Sequence, residues 1–219
     1  LKTFRIGGIH PPENKISAGK SIVRLPVPEE VVIPLSQHIG APAVPVVNKG
    51  DKVVTGQLIA KAGGFVSANV HSSVSGTVTS VGDFKDAAGY IKQAITIKTE
   101  GEEWESSINR SEILEQSNDI SKEDIIRLIN EAGIVGMGGA TFPTHVKLSP
   151  PPGNKAEILI INGVECEPYL TSDHRLMLEK TEEIIIGTQL LAKAIGAEKA
   201  VIGIENNKKD AIEKLNEAA

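Results

Sequence analysis

VNKGDKVVTGQLIAKAGGFVSANVHSSVSGTV, residues 47–78, runs in short apolar segments broken by turn residues. Within it β-branched residues recur at alternate positions, and alternate positions on a strand share one face, so one side of each segment points inward. The same texture extends outward on both sides. VVIPL, AVPVV, QLIAKA, SANVH, TVTSV and AITIK are separated by NKGD, TG, AGG and VSG, which predicts a compact all-β unit of hairpins over residues 29–100. Val47, Gly50 and Val53 form a half-motif with a weak echo from Val70 to Ser75-Gly76 and Thr77-Val78.

Before this unit, residues 1–28 read as an extended arm, because GGIHPPENK and LPVPEE carry prolines that forbid regular helix and restrict the preceding residue. His10, beside Pro11 and Pro12, reads as a turn histidine. After it, the polar stretch GEEWESSINRSEILEQSNDI, residues 101–120, reads as a linker, with Trp104 packing at a boundary. Residues 121–219 alternate helix and strand. Ser121 and Asp124 make a capping-box start, Ile125, Ile126, Leu128, Ile129 and Ala132 supply a helical stripe, and Gly133 ends it. EILIIN, residues 157–162, is a continuous apolar run of the kind found in a strand covered on both faces. EEIIIGTQLLAKAIG then reads as helix, AVIGIE (200–205) as strand and KKDAIEKLNEAA as helix, implying right-handed crossovers and a parallel sheet.

Composition excludes several roles. With 28 acidic against 23 basic residues the net charge is -5, and no basic stripe interleaves with aromatics, so nucleic acid is not an expected partner. No apolar run approaches the ~18–20 residues needed to cross a bilayer, and the first residues lack the apolar centre of a signal peptide, so no direct membrane span is expected. Cys166 is the single cysteine, which excludes an internal disulfide or an all-cysteine metal site within this chain and favours a reducing compartment; it reads as a small packed residue or a neighbour of a bound cofactor. A first residue other than Met and a helical pattern still running at Ala219 suggest a fragment.

Two loops carry candidate chemistry. GMGGATFPTHVKL, residues 136–148, places three glycines in four positions, where each glycine costs roughly 0.5–1 kcal/mol against alanine. It lacks both the Rossmann spacing and the Walker ending, and a tight turn and an anion cradle both remain open for it. Gly136, Gly138, Gly139 and Ala140 let backbone N–H groups converge, Lys147 adds a charge, Phe142 offers a flat apolar face and Pro143 stiffens the turn. NGVECEPYLTSDHR follows EILIIN at the carboxyl end of a predicted parallel strand, where ligands gather in such sheets. Asn162, Glu165 and Glu167 make it polar, a pattern shared by a binding loop and by ordinary solvated acids.

Residues 47–78 resemble the barrel-sandwich hybrid fold of biotinyl and lipoyl carrier domains, with Gly50-Asp51, Gly56-Gln57 and Ser75-Gly76 at matching turns. Carriers need a lysine at the central hairpin tip. Here the tip is Ala62-Gly63-Gly64-Phe65 with Lys61 before it, so the hairpin reads as structural.

The string Gly-x-Gly-Gly-Ala-x-Phe-Pro-Thr-x-x-Lys followed by Asn-x-x-Glu-x-Glu-Pro resembles the flavin-bearing, NADH-oxidising subunit of respiratory Complex I. Across the whole chain, GGIHPPENK, IPLSQHIGAPA, the barrel-sandwich segment, GGATFPTHVKL and NGVECEPYLTSDHRLML in order resemble the C subunits of Rnf electron-transport complexes. That resemblance implies a barrel-sandwich hybrid domain at 29–100 and, at 121–219, the N-terminal part of an α/β FMN/NADH-binding domain with a parallel sheet. It implies that Gly136, Gly138, Gly139 and Ala140 pack against FMN, that Lys147 and Asn162 hydrogen-bond it, and that Glu165 lies near the flavin. Phe142 would stack on the nicotinamide nucleotide and Glu167 would lie near the NADH ribose. No amino acid is expected to act as acid or base, since hydride passes directly between the two rings. Met137 stands for an arginine of the Complex I pattern, Thr141 and His145 for glycines, and Val164 for an aspartate. The family further implies [4Fe-4S] clusters on cysteine runs that lie outside this sequence, indirect exchange with ferredoxin, partner subunits that link electron flow to ion translocation, and a peripheral position on the cytoplasmic side of the cell membrane. The rival reading is a non-enzymatic docking module in which the β unit organises a larger complex.

Overall fold

In the computed structural model, residues 11–114 and 119–219 are described. His10 and the first part of the arm therefore lie outside the described residues. The chain divides into two compact units, one of Leu25–Ala156 with Lys193–Gly196, the other of Leu1–Arg24, Glu157–Ala192 and Ala197–Ala219.

The first unit is built on β1 (Glu30–Pro34), β2 (Val44–Pro45), β3 (Lys52–Val53), β4 (Leu58–Lys61), β5 (Val70–His71), β6 (Gly76–Lys85) and β7 (Ile91–Thr99). They form two antiparallel sheets, ordered β1-β7-β6-β3 and β2-β4-β5. Ile33, Val53, Val78, Ile95 and Ile97 from the larger sheet share one core with Ile59, Ala60 and Val70 from the smaller. That core is aliphatic, as a 3% aromatic content requires. The sheets curl around it without closing into a barrel, since no described strand pairing joins their outer edges.

Two turns explain why the pattern folds this way. Gly50 N–H donates to Val78 O at 2.8 Å while Val78 N–H donates to Asp51 O at 2.9 Å, tying the first turn to the start of β6. At Gly76 a side chain has no room, because a Cβ there would sit 2.0 Å from Lys98 O on β7. Neither backbone can move without breaking the β6–β7 ladder. Gly76→Ala should therefore lower unfolding stability by about 2–3 kcal/mol in a urea titration, a typical cost of overpacking.

The β6–β7 hairpin is longer than the sequence suggested, because its outer half, GDFK and IKQ, lacks a buried apolar stripe: Phe84 is half-buried and Ile91 is exposed. Asp86 makes the turn: its Oδ1 accepts from Ala88 N–H at 3.0 Å and Tyr90 N–H at 2.9 Å, and Lys92 pairs with it at 2.9 Å. The segment read as a linker begins by pairing with the β unit. Thr55 N–H donates to Glu103 O at 2.9 Å, and Glu105 N–H returns the bond to Thr55 O at 2.8 Å. Trp104 stays half-exposed there, with the Arg110 guanidinium 4.7 Å from its ring centroid, an exposed cation–π contact.

Helix α1 (Lys122–Glu131) starts at Ser121, whose Oγ accepts from Asp124 N–H at 3.1 Å, and ends before Gly133 in the left-handed conformation. Asn69, beyond the Ala62–Phe65 tip, accepts from Ala62 N–H at 3.0 Å and donates to Glu131 O at 3.1 Å. The hairpin that carries a lysine in carrier domains here holds the end of a helix, and that fixes where the glycine loop begins.

The second unit pairs β8 (Ile158–Asn162) with β9 (Lys199–Gly203) in parallel. Helices α3 (Ser172–Glu179) and α4 (Thr181–Ile195) lie between them in sequence, and α5 (Lys209–Ala218) follows; the short α2 (Thr144–Lys147) belongs to the first unit. Met177, Ala211 and Leu215 form its core with Ile184, Ile202 and Ile204 packed against them. The expectation that EILIIN is covered on both faces is corrected. Ile158 and Ile160 are 49% and 70% exposed, and Val201, which pairs with Ile160, is 40% exposed. Helix packing covers one face of this two-stranded sheet and leaves the other open. Helix α3 is a further difference, since the sequence pattern places its first residues, SDHR, in the loop after β8.

Candidate flavin-binding site

The first group of candidate residues is a closed tongue at the end of α1. Val135 and Pro143 pair as an antiparallel bridge, with Gly136 N–H donating to Phe142 O at 2.9 Å and Thr144 N–H to Ile134 O at 3.0 Å. Pro143 is fully buried at the root, and α2 follows it directly. Gly138, Gly139 and Ala140 form the exposed tip. A Cβ added at Gly138 or Gly139 would meet nothing within 4 Å, so the glycines at the tip are not required by crowding from the protein itself. Gly136 differs: its Cβ position lies 2.9 Å from Lys147 Nζ. The ammonium therefore rests on bare backbone at the base of the tongue, and no carboxylate pairs with it among the described residues. Phe142 is half-buried beside it. Thr141 takes a φ of 49°, a left-handed conformation that non-glycine residues adopt at a cost of roughly 1–2 kcal/mol.

The uncrowded backbone at the tip and the unpaired ammonium at the base suit a planar anionic ligand. A phosphate-bearing flavin fits that donor set.

The second group, Asn162, Glu165 and Glu167, belongs to the other unit. Asn162 ends β8 and accepts from Val164 N–H through Oδ1 at 3.1 Å, leaving Nδ2 without a partner among the described residues. Glu165 is buried, and its Oε1 accepts from Asp173 N–H at 2.7 Å, capping the first turn of α3. Its Oε2 is buried with no partner among the described residues. Burial, with Glu165's charge nearby, raises the Asp173 carboxyl above the usual carboxylate range. Glu167 is exposed. Cys166 is exposed as well, which corrects the expectation of a packed residue.

Cations surround this loop in a way the sequence did not announce. Lys15 donates to the carbonyls of Glu165, Glu167 and Leu170 at 2.9, 2.8 and 2.7 Å. Lys208 is buried and pairs with Glu205, whose Oε2 also accepts from Glu165 N–H at 3.2 Å. The Lys208 hydrogen bond, above all, holds the Glu205 carboxyl below the ordinary glutamate range. A depressed carboxyl contributes stability that is present above its unfolded pKa, about 4.3, and lost as pH falls through the folded value. Glu205→Gln should accordingly lower the melting temperature at neutral pH, with the difference from the parent shrinking at about pH 4 and below.

Against known families, residues 129–219 match the Nuo51 FMN-binding domain, and residues 2–102 match the RnfC barrel sandwich hybrid domain. Together they define a barrel-sandwich hybrid joined to a flavin-binding domain. The C subunit of the proton-translocating ferredoxin:NAD(+) oxidoreductase complex of Clostridium ljungdahlii is 50% identical over 220 residues, covering 100% of this chain and 47% of that protein. The C subunit of the Na(+)-translocating complex of Acetobacterium woodii is 46% identical over 99% of this chain and 48% of its own length. The C subunit of an ion-translocating oxidoreductase complex from Rhodobacter capsulatus is 45% identical over 98% of the chain and 42% of its own length. Along nearly its whole length the chain is similar to Rnf-type C subunits, and it spans about half the length of the curated relatives it matches. No helix among the described residues is long and apolar enough to cross a membrane.

Proposed function

We propose that this chain is the flavin- and nucleotide-binding part of a peripheral subunit that passes electrons between NAD(H) and ferredoxin in a membrane-bound, ion-translocating complex. The observation that carries the proposal is a tongue with an uncrowded glycine tip and, at its base against Gly136, the unpaired Lys147 ammonium. Gly136, Gly138, Gly139 and Ala140 present backbone to the FMN, Lys147 supplies positive charge, and Asn162 donates through Nδ2. Phe142 stacks against the nicotinamide nucleotide, Glu167 accepts from ribose hydroxyls, and Glu165 stands near the flavin while holding the start of α3. Bound FMN supplies the step from two-electron to one-electron chemistry. The residues themselves bind and orient, and none moves a proton. The [4Fe-4S] clusters belong to the remainder of the full-length protein, because Cys166 alone cannot ligate one. Partner subunits hold the protein at the cytoplasmic face of the membrane and couple its electron flow to ion movement.

The test is direct. Full-length protein loaded with FMN under anaerobic conditions should lose its flavin absorbance near 450 nm when NADH is added, a standard optical property of reduced flavins. An oxidised spectrum that persists at saturating NADH overturns the proposal.

A further inference from the structure

We infer that Lys15 is a positioning residue for the 163–171 loop, fixing the backbone from which Glu167 meets the nucleotide; the inference rests on the reading that this loop receives NADH. An ammonium has three donors, and all three are used here on carbonyls of a single irregular segment. Those carbonyls, from Glu165, Glu167 and Leu170, turn their negative ends toward one point. Without a cation between them they repel one another, and each must find water instead.

The neighbouring contacts tie the rest of the arm to the same loop and to the helix after it. Tyr169 N–H donates to Glu13 O at 2.8 Å, and Tyr169 itself takes a φ of 68°. A tyrosine holds that left-handed conformation only when its surroundings over-determine it. The arm runs on along the same unit: Ser17 Oγ lies 2.8 Å from Thr171 Oγ1, Arg175 donates to Ala18 O at 3.2 Å, and Ile22 N–H reaches the Glu179 carboxylate at 3.1 Å. Arg175 in turn is paired with Glu179, so the end of the arm is tied to a fixed part of α3. On the far side, Lys208 Nζ lies 3.5 Å from the same Glu165 carbonyl. The arm is thus a clasp, with Lys15 as its centre, closed over a loop about 150 residues away in sequence.

The experiment uses full-length, FMN-loaded protein carrying Lys15→Met, which keeps the length of the side chain and removes its charge, beside Lys15→Arg and Glu167→Gln. Amide hydrogen exchange is read across 163–171, with steady-state NADH oxidation using ferricyanide as acceptor. In Lys15→Met the loop amides should exchange about tenfold faster, and KM for NADH should rise about tenfold with kcat and flavin content unchanged. Lys15→Arg should recover part of both effects, since its planar fork keeps the charge but matches three converging carbonyls imperfectly. Unchanged loop exchange overturns the clasp, and faster exchange with an unchanged KM overturns its positioning role. Glu167→Gln separates the two readings. If it raises KM while Lys15→Met does not, only the inference about Lys15 fails; if it too leaves KM unchanged, the assignment of the loop to the nucleotide fails and the positioning role falls with it.

Discussion

Gly138→Leu should leave the protein folded and abolish FMN binding. Glycine in a loop is ordinarily explained by the backbone: a positive φ, or a neighbour too close for a Cβ. Neither applies here. Gly138 is absent from the positive-φ residues, and nothing lies within 4 Å of its Cβ position. Replacement by leucine should shift unfolding stability by less than about 0.5 kcal/mol, the usual range for exposed sites. A planar ligand pressed against that backbone has no such freedom. A side chain between ring and main chain separates every N–H group from its acceptor, and a loss of about 100-fold or more in affinity is expected from a few forfeited hydrogen bonds at roughly 1–1.5 kcal/mol each. Fluorescence titration with FMN measures the affinity, and thermal melting measures the fold. If the tongue is plain structure, neither quantity should change.

Lys147→Ala should give the second large effect. The ammonium sits at the base of the tongue, against Gly136 and without a carboxylate partner among the described residues, so removing it breaks no internal ion pair. On the proposed reading its contribution is to the bound anion. Charge-assisted hydrogen bonds are worth about 1.5–3 kcal/mol, which corresponds to FMN binding weaker by roughly 10- to 150-fold. Lys147→Arg should restore much of that. Undiminished flavin content in the alanine variant would count against the site.

How much of this was legible depended on whether the relevant interaction leaves a local trace. The aliphatic segments of 47–78 were legible because a half-buried strand needs them: Val53, Ile59 and Val78 are buried there, as are Ile95 and Ile97 of AITIK, although Ala60 is buried beside Ile59 where strict alternation would expose it. Ser121 and Asp124 announced α1 for the same reason, since a cap is a contact between near neighbours. The outer half of the β6–β7 hairpin left no trace, since it buries no apolar stripe and is shaped by Asp86. Helix α3 was hidden because its cap, Glu165, comes from seven residues before the helix begins at Ser172 rather than from the adjoining Thr171, which makes no side-chain cap.

The candidate site divides along the same line. The glycine tongue is a local feature, and its composition could be read directly. Thr141 shows the limit of reading it: a glycine stands there in the Complex I pattern, and here the backbone takes a left-handed φ with threonine in place. The role of Lys15 was not legible, because its three acceptors are backbone carbonyls far along the chain and a carbonyl carries no sequence signature. The open face of β8 is a related case. A continuous apolar run says that a strand is hydrophobic, but the number of packed layers around it is a property of the whole domain.

The most direct measurement is an experimental structure of the full-length protein with FMN bound. The isoalloxazine and phosphate should lie on the main chain of Gly138, Gly139 and Ala140, with Lys147 Nζ within hydrogen-bond distance of a flavin oxygen or nitrogen. Flavin seated elsewhere, with that backbone in water and Lys147 turned away, would contradict it.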